Sequence, residues 1–250
     1  MKRYLSVVIL IAFAGSAALA QGPKVGALTA GSAGDAAASH STASEWGLPA
    51  VPGKILFYGG DINVNDPNAG GWANENTLLV SSAAVYAAVT APENGKVVTS
   101  AVFFNNAATG GFFDPPVGYY DIRTGVSEGN GGTDLLHGSA AQTATTTGRD
   151  PFGLIEYTCT VSFAKALTAK PGTTYWFNEQ PQCTNTGDAN CSSQEYFFDN
   201  TTQQTNGVNA NAQPPYQMYA YSAYFGFNWE NLCGSGQLPG CKWGSWGLLK

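Results

Sequence analysis

Apolar and polar side chains alternate most regularly over residues 155–163. The apolar positions are Ile155, Tyr157, Cys159, Val161 and Phe163, and the polar ones are Glu156, Thr158, Thr160 and Ser162. A period of two is that of a β-strand, whose successive side chains point to opposite faces of the sheet. The pattern therefore predicts a strand with one face in the core and the other in contact with water.

Shorter apolar runs that end at turn residues predict further strands. Residues 84–90 and 96–104 flank the turn Pro92–Gly95, and its Asn-Gly pair predicts that the two strands form a hairpin. The Lys170–Gly172 turn precedes the aromatic strand 173–179, which would lie next to 155–163 if the two strands pair about that turn. Other strands are predicted at 55–58, 117–123, 196–198 and 216–229.

About eight to ten short strands with turns between them predict an all-β fold. We expect a two-sheet antiparallel β-sandwich, jelly-roll-like, because hairpin turns favour antiparallel pairing. A closed barrel is the alternative. Only 11% of the residues are charged, and such a composition suits exposed strands better than exposed helices.

The N-terminal residues have the pattern of an export signal. Lys2 and Arg3 precede an uncharged apolar run, Leu5–Ala14, and Ala18–Ala20 forms an A-x-A cleavage site. The run is too short to span a bilayer, which argues against an uncleaved anchor. We predict a signal peptide over 1–20 and a secreted or periplasmic protein.

The remainder divides into a linker and one domain. Residues 21–50 are rich in Gly, Ala and Ser without periodicity, which predicts a flexible linker, and residues 51–250 form the β-sandwich domain. Loss of Lys2 and Arg3 with the signal takes the formal net charge from −6 to −8. This acidic balance argues against binding nucleic acid. No later apolar stretch is long enough to predict a membrane span after signal cleavage.

Three motifs carry a family resemblance. They are a strand opening at Leu56–Gly59, a central stretch at Tyr120–Thr133 and a late strand at Leu167–Trp176. Over about residues 55–230 the chain resembles uncharacterised secreted bacterial β-sandwich proteins, similar to the domains found with PEP-CTERM-type sorting tails. The sequence shows no such tail, so sorting by that route is not expected. The resemblance implies the fold and export, and it implies no activity and no functional residue.

Five cysteines allow fifteen arrangements of two disulfides. Local pairing favours Cys183 with Cys191 and Cys233 with Cys241, because each pair closes a short loop. Cys159 is then left over as a thiol on the apolar face of its strand. The spacings do not match the closely spaced cysteine pairs of structural zinc sites.

Motifs for catalysis and metal binding are incomplete. Asp61, Asn63, Asn65 and Asp66 begin like a calcium loop, but the glycine and glutamate of an EF-hand are missing, so calcium competes with a simple Asx-rich turn. We expect no other cofactor. Paired carboxylates for glycoside hydrolysis would have to come from Glu156, Glu179, Glu195 and Asp199. His137 has no recognisable catalytic partner, and the Gly125–Gly132 loop lacks the features of a phosphate-binding loop.

Aromatic residues are the strongest functional signal, because flat rings on a sheet or loop can stack on sugars. The candidate ligand-binding residues are Trp72, Tyr119, Tyr120, Trp176, Trp229, Trp243 and Trp246. The competing interpretation is that these rings fill or cover the core. We therefore predict a secreted, non-catalytic module that binds a polysaccharide or another extracellular polymer. The alternatives are a structural envelope or matrix protein and a jelly-roll glycoside hydrolase or lyase.

Overall fold

The computed structural model describes most of the predicted domain and little of the N-terminal region. The described residues are 27–29, 48–63, 70–77, 83–108, 117–183, 196–201, 206–209, 218–233 and 243–250. They contain fifteen strands and one 3₁₀ turn at Pro151–Gly153, and no α-helix. The predicted all-β class is confirmed. The predicted signal peptide lies outside these residues, as does most of the predicted linker, of which Ala27–Thr29 forms a strand.

The strands have the following bounds. The first eight are β1 (Ala27–Thr29), β2 (Ile55–Tyr58), β3 (Gly70–Ala73), β4 (Asn76–Thr77), β5 (Ala83–Thr90), β6 (Val97–Ala108), β7 (Val117–Thr124) and β8 (Thr133–Thr146). The others are β9 (Ile155–Ala169), β10 (Thr174–Cys183), β11 (Tyr196–Thr201), β12 (Met218–Ser222), β13 (Phe227–Asn231), β14 (Trp243–Gly244) and β15 (Trp246–Leu249).

The strands form two groups that share β8. In the first group the order is β8-β7-β10-β5-β12-β13, and in the second it is β8-β9-β6-β11-β3-β1, with β15 joining β2 to β6. Residues 133–141 of β8 pair with β7, and residues 142–146 pair with β9. Pairing is antiparallel except between β4 and β10. The antiparallel prediction holds, while the jelly-roll-like sandwich remains a prediction.

Both expected hairpin pairings are wrong. β5 pairs with β10 and β12, whereas β6 pairs with β9, β11 and β15, so the Pro92–Gly95 turn leads from one group to the other. The Lys170–Gly172 turn does the same between β9 and β10. The backbone of Ala91 bonds instead to Gly172 and Thr173, which ties the two turns together. A turn sequence reverses the chain, but packing decides which strands become neighbours.

Side chains from both groups build one hydrophobic core. Val85 and Phe177 come from the first group, and Phe104, Val161 and Trp246 come from the second. The described part of the chain contains no helix with the length and apolar character needed to cross a membrane.

The alternation along β9 is present, but its polar face is not in water. Glu156, Thr158 and Thr160 are buried as completely as the apolar positions, while Ile155 is exposed. Hydrogen bonds to other side chains compensate for the burial of these polar groups. Thr158, for example, donates a hydrogen bond of 2.8 Å to Asn105 Oδ1. The expectation of a wet face on this strand is therefore wrong for its first half.

The cysteines differ in chemical state. Cys159 is a buried thiol that packs against Tyr157 and Tyr196. Cys183 and Cys233 are disulfide-bonded. Their predicted partners, Cys191 and Cys241, lie outside the described residues, so the two pairings stay predictions.

Candidate functional site

Three of the seven candidate aromatic residues are core residues. Trp72, Tyr120 and Trp246 are at most 1% exposed, so no ligand can stack on them. Their rings fill the space between the two groups of strands, where Trp246 contacts Phe57 and Phe177. The prediction that these three rings bind a ligand is wrong, and the core-filling alternative holds for them. The side chain of Trp243 lies outside the described structure.

The other three candidates, Tyr119, Trp176 and Trp229, lie on the opposite face of the first group of strands. Trp176 is buried there beneath Val126 and Trp229. Beside it is a cavity of about 450 Å³, which we call the outer groove. The residues that line the outer groove are Asn76, Ala84, Tyr86, Tyr119, Asp121, Arg123, Gln180, Gln182, Tyr221 and Trp229.

Strand register places the outer-groove residues in rows. Tyr119 on β7 is opposite Gln180 on β10, and Ala84 on β5 is opposite Tyr221 on β12. β10 and β5 pair directly over Thr174–Phe177, and the four side chains line the same groove from four strands. Both tyrosines remain accessible: Tyr221 is 38% exposed and Tyr119 is half-buried.

Trp229 reaches the groove because of a β-bulge. Asn228 pairs with Tyr221 and Glu230 pairs with Ala220, so Trp229 is the inserted residue in β13. Its φ of 53° is in the left-handed region, where a bulky residue is rarely found. Bulges change the direction of a side chain and often occur next to functional sites. Here the bulge directs the indole ring over the strands, where its centroid lies 4.7 Å from that of Tyr86.

The faces of the Trp229 ring are already in contact with protein groups. Tyr221 stacks on it with centroids 5.3 Å apart, and the guanidinium of Arg123 lies 5.0 Å from its centroid. The ring also packs so closely against Gly131 that a methyl group there would lie 2.5 Å from it. Trp229 therefore positions Tyr221 and Arg123, and Tyr221 is the ring that a ligand can reach.

A buried carboxylate forms part of the groove floor. Asp121 is 1% exposed, and its Oδ2 accepts hydrogen bonds from Tyr86 Oη at 2.8 Å and Arg123 Nε at 2.7 Å. Burial raises the pKa of Asp121 above its ordinary value, and the two hydrogen bonds offset part of that rise. Burial also raises the pKa of Tyr86, and the neighbouring Asp121 charge raises it further.

Amide side chains complete the polar part of the groove. Gln180 donates to the backbone carbonyls of Glu75 and Ala83, which leaves its amide oxygen available as an acceptor. Gln182 accepts a hydrogen bond of 2.9 Å from Ser139. The groove thus combines accessible rings with carboxylate and amide groups, which is the chemistry that hydroxyl-rich ligands need.

The sequence contained a signal for these polar residues. Tyr119, Asp121 and Arg123 alternate along β7 with inward residues such as Tyr120 and Ile122, so a period of two places them on one face. Tyr86, Gln180 and Tyr221 join them only because β5, β10 and β12 become neighbours. No local pattern predicts that arrangement.

The carboxylates considered for glycoside hydrolysis do not meet in the described structure. Glu156 is buried against Arg149 at 2.5 Å. Glu179 faces inward from β10 and is fully buried near Asn106, and burial raises its pKa well above the ordinary value. Glu195 and the side chain of Asp199 lie outside the described residues. His137 is exposed and bonds Asp134 at 2.7 Å.

The predicted calcium loop begins with a residue that has other partners. Both oxygens of Asp61 are bonded, Oδ1 to Tyr58 and Arg149 and Oδ2 to Asn206. Asn65 and Asp66 lie outside the described residues. Within the described residues no cluster of three or more histidine, cysteine or acidic side chains could hold a metal ion.

A second cavity, of about 420 Å³, is lined mainly by apolar residues, including Leu56, Val89, Leu167 and Phe177. Few polar side chains line this cavity, and Thr99 among them donates to Leu249 O at 2.8 Å. The outer groove has the larger share of polar groups that can orient a ligand.

No protein-family model matches this chain, and no curated protein and no solved structure matches it. The geometry and chemistry of the outer groove are therefore the features that bear on function.

Proposed function

We propose that the protein is a secreted, non-catalytic module that binds a saccharide chain in the outer groove. The observation that carries this proposal is that Tyr119, Gln180, Ala84 and Tyr221, from four different strands, line the same groove. The groove presents two accessible rings, one from β7 and one from β12, beside polar groups that can accept and donate hydrogen bonds. Tyrosine rings bury their apolar faces against sugars while polar groups bond the hydroxyls.

Binding without catalysis is favoured by the charges of the groove. Glycoside hydrolysis uses two carboxylates across the scissile bond, about 5–9 Å apart. Among the described residues that line the groove, Asp121 is the one carboxylate, and its Oδ2 is bonded to Arg123 and Tyr86. This arrangement lacks the second acid that the reaction requires.

Export is part of the same proposal. It is supported by the signal-like pattern of residues 1–20 and by the disulfide-bonded state of Cys183 and Cys233, because disulfides persist in oxidising compartments. Fractionation of the producing cell and N-terminal sequencing test this part. A mature chain that begins at Gln21 supports it, and a protein that retains residues 1–20 in the cytosol contradicts it.

Binding is tested by retention on a panel of insoluble neutral and acidic polysaccharides. We expect retention of the wild type on at least one polymer and a loss of affinity of about tenfold in Tyr221→Ala, since one stacking ring contributes on the order of 1 kcal/mol. Tyr224→Ala is the matched control, because Tyr224 is a more exposed tyrosine in the turn that follows β12 and does not line the groove. Failure to bind any polymer would favour a structural envelope protein instead.

A further inference from the structure

The two oxygens of Asp121 have different surroundings. Oδ2 is shared by Tyr86 and Arg123, whereas Oδ1 is buried and has no hydrogen-bond partner among the described residues. Buried carboxylate oxygens are usually bonded, because an unmet acceptor loses its hydration without compensation. Asp121 lines the outer groove, so a ligand in the groove is the available source of a donor.

The rest of the molecule contains an internal reference for this geometry. Asp61 is equally buried and also binds a tyrosine, Tyr58, and an arginine, Arg149. Its second oxygen accepts a hydrogen bond of 2.7 Å from Asn206. The protein thus supplies the donor for Asp61 from its own chain and supplies none, within the described residues, for Asp121 Oδ1.

The charges near Asp121 restrict which ligands can approach. The guanidinium of Arg123 is held by Asp121 at 2.7 Å, lies 3.8 Å from Asp134 and donates to Gly131 O at 3.2 Å. Glu128 adds a further negative charge on the loop that contacts Trp229. With its one arginine engaged by two carboxylates, this part of the groove repels an acidic ligand.

We propose that Asp121 Oδ1 accepts a hydrogen bond from a ligand hydroxyl, and that the groove thereby selects neutral saccharides over those that contain uronic acids. This inference rests on the proposed saccharide-binding function. Asp121 is then a specificity-determining residue that contacts the ligand, while Tyr86 and Arg123 position it.

The first test uses Asp121→Asn, which keeps the shape of the side chain. Asparagine can retain an acceptor toward Tyr86 and Arg123, but its amide NH₂ then takes the place of Oδ1 and donates instead of accepting. We expect affinity for the neutral polymer that the wild type binds best to fall about tenfold or more, since charged hydrogen bonds are the stronger ones. An unchanged affinity of the folded variant, with Tyr221→Ala still impaired, would overturn the inference and leave the binding function intact.

The second test needs no variant and therefore stands even if Asp121→Asn does not fold. The same neutral polymer is compared with its form oxidised at C6, which converts sugars to uronates without changing the chain. We expect the wild type to bind the oxidised form at least about tenfold more weakly. Equal or tighter binding of the oxidised form contradicts the inference. Absence of binding to every polymer, neutral or acidic, contradicts the proposed function and the inference with it.

Discussion

Two buried clusters of tyrosine, aspartate and arginine occur among the described residues, and they differ in the surroundings of the aspartate. In one, Tyr58 and Arg149 bond Asp61; in the other, Tyr86 and Arg123 bond Asp121. In the first cluster the second oxygen of Asp61 is bonded by Asn206, and Arg149 also pairs with Glu156, whose Oε1 has no hydrogen-bond partner among the described residues. The second cluster opens on the outer groove with one carboxylate oxygen unbonded among the described residues.

The comparison shows how the same side chains can stabilise a fold or recognise a ligand. The Arg149 side chain is 6% exposed and bridges two carboxylates, Asp61 and Glu156, that belong to different parts of the chain. The Arg123 side chain is 20% exposed and lies two residues from its partner on the same strand. The Arg149 ion pairs join distant segments and so contribute to stability, whereas the Arg123–Asp121 pair lies within one strand and is left to hold the groove side chains in place.

The two clusters should differ most in their contribution to the free energy of unfolding, which is measured by replacing the arginine of each cluster with methionine. Arg149→Met leaves Asp61 and Glu156 buried without a cation, so we expect it to lower the free energy of unfolding by about 3–5 kcal/mol. Arg123→Met removes hydrogen bonds to a site that solvent can reach, and should cost about 2 kcal/mol. Urea denaturation of the two variants measures the contrast. Equal losses would show that the two clusters have the same structural role.

Another buried carboxylate, Glu179, has no cation among its described contacts. Its described contact is a long hydrogen bond from Asn106, and burial raises its pKa well above the unfolded value of 4.5. The folded state therefore favours the neutral form of Glu179. The contribution of this group to stability is fully present below the unfolded pKa and is lost as pH rises through the folded pKa.

Glu179→Gln retains the shape and removes the ionisation. We expect the variant to be more stable than the wild type at alkaline pH, because it has no buried carboxyl group to ionise. Its stability should also depend less on pH above the unfolded pKa of 4.5. Thermal denaturation across that range provides the measurement, and parallel pH profiles for the two proteins would refute the argument.

The smallest expected effect concerns the contact between Gly131 and Trp229, the ring that positions Arg123 and Tyr221. In Gly131→Ala the new methyl group would lie 2.5 Å from the Trp229 ring, so the ring must move and carry Arg123 and Tyr221 with it. We expect a stability loss of about 1 kcal/mol together with weaker binding to the groove. Near-ultraviolet circular dichroism detects the movement of the ring.

Gly125→Ala is the control for that substitution. Gly125 has a φ of 70° in the same loop, and no atom lies within 4 Å of an added methyl group. It should lose a similar amount of stability through its backbone conformation, about 1 kcal/mol, without altering the aromatic spectrum or the binding. An altered spectrum in both variants would mean that the loop, rather than the contact with Trp229, controls the groove.

Several features of the candidate site could be predicted from the sequence, and others could not. The outward face of β7 could be read from the alternation of Tyr119, Asp121 and Arg123 with buried neighbours. The selection of tryptophans failed for Trp72 and Trp246, because a sequence shows that a ring is large and apolar but not whether it lies in the core or on the surface. The bulge at Trp229 has no glycine or other marker, so its direction could not be predicted.

Local chemistry alone determined that this chain forms strands and where it turns. Alternation specifies the two faces of a strand, and Asn-Gly and Pro-Gly sequences specify reversals, because both depend on neighbouring residues only. Tertiary structure decided which strands pair and which rings are accessible. The two turns expected to close hairpins instead lead from one group of strands to the other, because long-range packing of the core selects strand neighbours. The outer groove exists only through that selection, since the side chains that line it come from four strands that are not consecutive in the chain.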